Sequence, residues 1–274
     1  MGSKLFKILK VIFIILLLFV SIVPIFWIIL TSFKTRLDIL SDVPKFFFRP
    51  DLSAYITDLG NSSQSIWPSL INSIIIGICT VMITLTFGSL AAYACSRYNF
   101  WGKEQFIVGV LITRLLPPFT AIIPLFMMIQ KLGIFDTHLV LIIINSALNI
   151  PLAIWMIKTY FDCIPKELEE AAMLDGCTSL QGLLKVTLPL AAPGLTATAI
   201  FVFVMSWNEF LFAFMFTSVK ASTMPLLIAQ ARGEDQIFWQ QMASQATILM
   251  VPMLLFSLFM QKHMVKGLTA GGVK

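Results

Sequence analysis

Residues 11–33 read VIFIILLLFVSIVPIFWIILTSF, an apolar run without a charged side chain. A helix needs about 20 such residues to cross the hydrocarbon core of a bilayer. Lys4, Lys7 and Lys10 precede the run, as they would in a secretion signal, but the run is too long for one and no small-residue cleavage site follows it. The stretch therefore predicts a first membrane span that is retained.

The rest of the chain has the same character. Of its 274 residues, 58% are hydrophobic and 12% are charged, and the mean hydropathy is +0.90. A soluble domain carries about 25% charged residues, so a soluble, disordered or coiled-coil protein is excluded. We interpret the net charge of +5 as membrane topology and expect no nucleic-acid partner. The composition predicts an all-α integral membrane protein.

Five further apolar stretches are long enough to cross the membrane. With the first, they predict six transmembrane helices in a single transmembrane domain over 1–274, at about 11–33, 68–96, 106–130, 137–159, 190–218 and 238–261. Lysine and arginine are more frequent in the segments on the same side as the N-terminus. Because these residues accumulate in cytoplasmic loops, we expect both termini in the cytoplasm of a bacterial or archaeal cell.

Cysteine and histidine give no sign of a metal or redox site. The 4 cysteines show no pair with the spacing of metal ligands or of a redox motif, and the chain has only 2 histidines. The sequence also lacks the G-x-x-x-x-G-K-[ST] loop that holds nucleotide phosphates. We therefore expect no cofactor in this chain, no ATPase activity of its own and no enzymatic function.

The most informative loop is 160–189, which reads YFDCIPKELEEAAMLDGCTSLQGLLKVTLP. Pro165 and the glutamates after it suit the first turn of a helix, because proline is tolerated there and the helix dipole favours anions. Gly176 suits the end of that helix. Thr178 and Gln181 predict a capping box that opens a second short helix. The loop predicts a cytoplasmic helix–turn–helix, although an ordinary amphipathic surface loop would have a similar composition.

Several residues in and around this loop match a known pattern in order and spacing. In the loop they are Glu170-Ala171-Ala172, Gly176, Val186 and Leu188-Pro189. Elsewhere they are Tyr93–Arg97, Pro124–Phe126, Leu132–Gly133, Asp136–Thr137, Trp207–Phe210 and Gly267–Gly271. The loop resembles the EAA loop of permease subunits of ATP-binding-cassette importers. Over essentially its whole length, the chain is similar to the smaller, six-span permease of maltose-type sugar importers.

The resemblance implies that the loop is a coupling helix, seated in a cleft of a cytoplasmic ATPase subunit. The ATPase-coupling residues would be Glu170, Ala171, Ala172, Leu174, Asp175, Gly176 and Pro189. The implied partners are a second homologous permease, two ATPase subunits that bind ATP and Mg, an extracytoplasmic solute-binding protein and a sugar, a di- or oligosaccharide. Glycerol phosphate or a polyol is an alternative substrate, and an ion-coupled secondary transporter or a docking scaffold is an alternative class.

Two charged residues, Arg114 and Glu209, lie within the predicted spans. Charges there are costly and usually face a cavity or a partner helix. Trp207, Asn208 and Glu209 combine a ring with hydrogen-bonding groups, which suits sugar contact as well as a gate or a helix–helix tie. We expect Arg114 and Glu209 to lie too far apart in depth to pair.

Two asparagines of the fourth predicted span complete the candidate substrate path. Asn145 and Asn149 are four residues apart and therefore share a helix face. They would either line the path or hydrogen-bond neighbouring helices.

Overall fold

A computed structural model describes residues 2–60, 65–232 and 237–270. Within these ranges the regular structure is helical, apart from one isolated bridge between Arg232 and Ile237, which confirms the all-α class. The α-helices are α1 (Gly2–Ser32), α2 (Arg36–Ile39), α3 (Ser53–Leu59), α4 (Trp67–Arg97), α5 (Lys103–Ile112), α6 (Ile122–Leu132), α7 (His138–Asp162), α8 (Glu167–Leu174), α9 (Ser179–Gly182), α10 (Leu188–Leu190), α11 (Ala192–Trp207), α12 (Leu211–Phe216), α13 (Met224–Gln230) and α14 (Trp239–Ala270).

Three helices are long and apolar enough to cross a membrane: Phe6–Ser32 of α1, all of α4 and all of α7. Two sharply bent helix pairs also qualify if each is counted as one span. The described residues therefore hold three to five candidate spans, and the six-span count stays a prediction.

The third predicted span is a broken helix. α5 gives way to a 3-10 turn over Thr113–Leu115, and a second one over Pro118–Ala121 leads into α6. Helix Lys103–Leu115 and helix Pro118–Leu132 meet at 92°. Proline lacks an N–H and forces extended backbone on the residue before it, so consecutive prolines at 117 and 118 end the helix. The third predicted span is therefore kinked at these prolines.

The described chain forms two compact units, residues 1–68 with 227–252 and residues 69–226 with 253–274. In the first unit the buried carboxylate of Asp58 on α3 accepts hydrogen bonds from the α14 side chains Gln241, Ser244 and Gln245. These bonds hold α3 against the start of α14.

The second unit is built around α7, and 61% of an apolar 18-residue segment of this helix is buried. One apolar cluster joins it to α4, α6 and α12, through Ile76, Ile129, Leu141, Phe212 and Phe216. Another joins it to α4 and the loop before α11, through Tyr93, Ile157, Phe161, Leu183 and Ala191. α11 packs directly on α7, where the ring of Tyr160 occupies the place that a side chain at Gly194 would take. Tertiary packing of this kind fixes where the loop over 160–189 leaves the spans.

Candidate functional site

The loop over 160–189 contains the predicted helix–turn–helix. α8 runs over Glu167–Leu174, and Gly176 follows it with φ +90°. Only glycine adopts this left-handed conformation without strain, which explains its place after the helix. Thr178 and Gln181 form the predicted capping box: the Thr178 N–H donates to Gln181 Oε1 at 2.9 Å, and the Gln181 N–H donates to Thr178 Oγ1 at 3.3 Å. The predicted helix–turn–helix is confirmed, except that Pro165 precedes α8 instead of lying in its first turn, because the helix begins at Glu167.

One face of α8 and the turn after it are open to solvent. Glu170, Ala171, Asp175 and Gly176 are exposed, and Ala172 is half-buried. Leu174 is 90% exposed, so most of its apolar side chain is accessible to a partner. Pro189 is also exposed but lies in α10, beyond a π-helical turn over Leu183–Thr187. This face can receive a partner without rearrangement of α8.

The opposite face of α8 carries a buried carboxylate that sequence reasoning did not single out. Glu169 is only 3% exposed. Its carboxylate accepts hydrogen bonds from Tyr93 Oη at 2.8 Å, Arg97 Nε at 2.7 Å and Thr187 Oγ1 at 2.6 Å. The ion pair with Arg97 is buried on both sides. We call Glu169, Tyr93, Arg97 and Thr187 the anchor cluster.

Arg97 extends the anchor cluster to the end of α7. Its Nη2 donates to the carbonyl oxygen of Ile164 at 3.1 Å, and its Nη1 donates to Ser96 Oγ at 3.3 Å. Ser96 Oγ in turn donates to Asp162 Oδ1 at 2.6 Å. The inner end of α4, the end of α7, α8 and the π-helical turn are thus joined by charged and polar bonds, so displacement of α8 pulls on all of them.

The charge of Glu169 is stabilised in place. Burial raises the pKa of Glu169, but hydrogen bonds from Thr187, Arg97 and Tyr93 outweigh burial, and the net pKa lies below the usual glutamate value. Glu169 is therefore ionised at neutral pH, as an ion pair with Arg97 requires.

A signal for the anchor cluster was present in the sequence. Tyr93 and Arg97 are four residues apart and share a face of α4 at its inner end. A tyrosine and an arginine on one helix face call for an acceptor when buried. Sequence alone could not tell which glutamate of the loop supplies it, because the answer depends on how α8 packs against α4.

Trp207, Asn208 and Glu209 mark a break in the fifth predicted span. α11 ends at Trp207, and the Glu209 carboxylate accepts the backbone N–H of Phe212 at 2.7 Å and of Ala213 at 3.1 Å at the start of α12. Trp207 is buried and stacks on Phe203 with ring centroids 5.5 Å apart. Glu209 thus caps a helix inside the span, and Asn208 is the exposed member of the block.

The remaining candidate path residues lie on or against α7. Asn145 and Asn149 are both buried, and Asn149 Nδ2 donates to the carbonyl oxygen of Asn145 at 2.8 Å. Arg114 is exposed at the break of the third span, and its Nη1 donates to the carbonyl oxygen of Leu148 at 2.6 Å. The structure therefore brings Arg114 beside the turn of α7 that holds the asparagines. The bonds made by Arg114 and Glu209 go to backbone atoms of different helices.

A second polar cluster lies around Asp136, which precedes α7 and has φ +54°. Its carboxylate accepts four backbone N–H groups, from Ser218, Val219, Lys220 and Ala221, at 2.9–3.2 Å. Burial raises the pKa of Asp136, but these four bonds outweigh burial and lower it overall.

The loop that Asp136 holds is also tied to α4. Asn72 Nδ2 donates to the carbonyl oxygens of Lys220 and Ser222, both at 2.9 Å, and Asn72 Oδ1 lies 2.6 Å from His138 Nε2. The loop after α12 is therefore fixed near the N-terminal end of α7, whereas α8 follows the C-terminal end of α7.

The described chain combines apolar helices long enough to cross a membrane with a solvent-facing helix, α8, that is anchored to them through a buried ion pair. The family described as "Binding-protein-dependent transport system inner membrane component" matches residues 84–270. The chain belongs to this family, and it is therefore a multi-pass inner-membrane permease.

Individual relatives support the same assignment. The trehalose/maltose transport system permease protein MalG of Thermococcus litoralis is 36% identical over 98% of this chain and 97% of its own length. The trehalose transport system permease protein SugB of Mycobacterium tuberculosis is 40% identical over 75% of this chain and 76% of its own. The fold matches a solved chain of a bacterial ABC transporter involved in alginate import, with a TM-score of 0.78 and 23% identity over 95% of this chain and 97% of that one.

Proposed function

We propose that this chain is a permease subunit of an ATP-binding-cassette importer that moves a di- or oligosaccharide across the cytoplasmic membrane. The observation that carries the proposal is α8, whose outer face is open while its inner face is fixed to the spans through Glu169 and Arg97. The names of relatives, which include trehalose/maltose and diacetylchitobiose permeases, support a sugar as the substrate.

In this proposal α8 acts as a lever. Two cytoplasmic ATPase subunits bind ATP and close, and the exposed surface of Glu170, Ala171, Ala172 and Leu174 follows the subunit in which it is seated. The anchor cluster passes the movement to α4, α7 and the turn before α11. Because an ion pair with two further hydrogen bonds resists stretching more than apolar contact does, little movement is lost between α8 and the spans.

The proposed assembly contains a second homologous permease beside this chain and a solute-binding protein on the outer side. Both termini lie in the cytoplasm, so α8 faces the ATPase subunits and the Asp136 loop faces outward. ATP and Mg are held by the ATPase subunits, and this chain performs no hydrolysis.

The break at Trp207–Glu209 is the proposed gate of the substrate path. Helix α12 is short, and the cap that Glu209 places on it allows the fifth span to bend there without loss of hydrogen bonds. Asn208, exposed beside the break, is the proposed sugar contact, whereas buried Trp207, Asn145 and Asn149 support the helices. Arg114 stabilises the α7 turn near Pro151.

Uptake by the reconstituted complex tests the proposal. Proteoliposomes that contain the permease pair, the ATPase subunits and the binding protein are given labelled trehalose, maltose or glycerol phosphate, with ATP inside. We expect ATP-dependent uptake of a sugar, and none when the ATPase subunits are omitted. Uptake driven by an ion gradient without ATPase subunits would contradict the proposal, and uptake of glycerol phosphate alone would contradict its substrate class.

A further inference from the structure

The first compact unit holds a cavity of about 620 Å³ beyond the end of α1. This volume is in the range of sites that take small molecules. It is built by the end of α1, the segment after it and the first turns of α14, and its polar and aromatic lining includes Trp27, Lys34, Asp38, Ser41, Asp42 and Trp239. Its lining includes no residue of α8, of the gate or of the Asp136 loop, so the proposed transport function makes no use of it.

A buried cation lines this cavity. Lys34 is 2% exposed, and its ammonium lies 4.2 Å from the ring centroid of Trp27 and 5.4 Å from that of Phe48. The backbone N–H of Lys34 donates to the carbonyl oxygen of Thr31 at 3.1 Å. Lys34 thus lies at the C-terminal end of α1, where the helix dipole favours positive charge. Over the described ranges the ammonium makes no direct ion pair and no hydrogen bond, although the carboxylate of Asp38 attracts it from a longer distance, so its three donors remain available to a ligand.

The cavity also offers a free aromatic ring and an acceptor. Trp27 is occupied by Lys34 and by Phe46, whose ring is 5.6 Å away. Trp239 is 45% exposed, and no ring of the described chain packs on it. The carboxylate of Asp42 is exposed at the cavity, while that of Asp38 is already bonded to Lys45 at 2.8 Å. Within the described ranges, the indole of Trp239 and the carboxylate of Asp42 are thus unengaged, and the ammonium of Lys34 keeps its hydrogen-bond donors free beside the two rings.

These three groups select for one ligand chemistry. A pyranose ring has an apolar face that stacks on an indole, and hydroxyls that both accept from an ammonium and donate to a carboxylate. An anionic headgroup would meet the carboxylates of Asp38 and Asp42 as well as the ammonium groups of Lys34 and Lys45; the charges of these described residues cancel, which leaves no net attraction. A purely apolar ligand would leave the Lys34 ammonium buried without a hydrogen bond.

We propose that this cavity is a binding site for a neutral sugar, with the ring on Trp239 and hydroxyls on Lys34 and Asp42. The site goes beyond the proposed transport function: it holds sugar at the end of α1, on residues that the proposed path does not use. It needs neither ATP nor the gate residues.

Hydrogen–deuterium exchange localises the binding. The full complex, purified without its solute-binding protein, is placed in phosphatidylcholine nanodiscs and titrated with trehalose or with maltose. We expect slower exchange in peptides from 34–44 and 239–246 in the wild type. Trp239→Ala removes the stacking surface and should raise the apparent Kd roughly tenfold or more. Trp155→Ala is the matched control, because Trp155 is 49% exposed and does not line this cavity.

Two further variants distinguish a loss of sugar binding from misfolding of the Trp239→Ala variant. Lys34→Met keeps the length of the side chain and removes its donors, and Asp42→Asn alters an exposed acceptor; both should weaken protection. Absence of protection by either sugar, or protection that persists in Trp239→Ala and in Lys34→Met, would overturn the site. Protection that arises only with phosphatidylglycerol in the nanodisc would also overturn it, in favour of a lipid headgroup.

Uptake measured in parallel separates this inference from the proposed function. ATPase-dependent sugar uptake without protection of the cavity overturns the site and leaves the transport function standing. Protection of the cavity in a complex that shows no ATPase-dependent uptake supports the site and contradicts the transport function.

Discussion

Substitution of Glu169 probes the joint between α8 and the spans. Glu169→Ala leaves the guanidinium of Arg97 buried without its counter-charge and removes the acceptor of Tyr93 and Thr187. Loss of one partner of a buried ion pair costs about 3–5 kcal/mol. We therefore expect the free energy of unfolding to fall by that amount, a large part of the stability of a domain.

Replacement of the whole pair should behave differently. In the double variant Glu169→Leu with Arg97→Met, no charge remains buried, and apolar replacement of buried pairs is often neutral for stability. We expect it to recover most of the stability that Glu169→Ala loses. Its coupling should stay impaired, because apolar contact no longer joins α8 rigidly to α4: sugar-stimulated ATP hydrolysis should continue while uptake per ATP falls.

The assay combines denaturant titration of the purified complex with uptake and ATP hydrolysis in proteoliposomes. Glu167→Gln is the control, since Glu167 is an exposed glutamate of the same helix and its charge there is worth under about 1 kcal/mol. A change below about 1 kcal/mol in Glu169→Ala would refute the buried anchor. Normal uptake per ATP in the double variant would refute its role in coupling.

Three further outcomes follow from the same geometry. Because folding lowers the pKa of Glu169 and of Asp136, their ionised carboxylates stabilise the folded protein fully above the usual pKa values of 4.5 and 3.8. This stabilisation is lost as the pH falls through the lower pKa values of the folded protein. Denaturant titrations from pH 7 to pH 3 should therefore show a falling free energy of unfolding, and the fall should be smaller in Asp136→Asn. Glu209→Ala should cost about 1 kcal/mol as a lost cap and raise amide exchange at 211–213, whereas unchanged exchange there would contradict the capping role. Gly194→Val should clash with the ring of Tyr160 and lower the yield of folded protein, and Tyr160→Ala in the same chain should restore that yield if the clash is the cause.

Local features were predictable because the residues that determine them are close in sequence. The α8 boundaries follow from Pro165 and Gly176, and the capping box needs only Thr178 and Gln181. The break of the third span follows from consecutive prolines. In each of these cases the backbone conformation is decided within a few residues.

The anchoring bonds were not predictable because they join distant parts of the chain. Glu169 meets Tyr93 and Arg97 across more than 70 positions, and Asp136 meets the loop at 218–221 across more than 80. No proline or glycine beside Asn208 predicts the helix break there, and in the structure the break is stabilised by the cap that Glu209 places on α12. Such contacts depend on helix packing, which the period of apolar residues does not encode.

Co-purification tests the central claim, that α8 docks this permease to a cytoplasmic ATPase, most directly. The wild-type chain, the double variant Glu170→Lys with Ala172→Trp, and the exposed control Lys185→Ala are each tagged, extracted gently and analysed by mass spectrometry. Glu170 is exposed and Ala172 is half-buried, and both lie on α8 outside the predicted spans, so the spans should stay folded. We predict that an ATPase and a second permease accompany the wild type and the control, and that the double variant keeps the permease and loses the ATPase. A wild-type chain that purifies alone or only with itself would contradict the account.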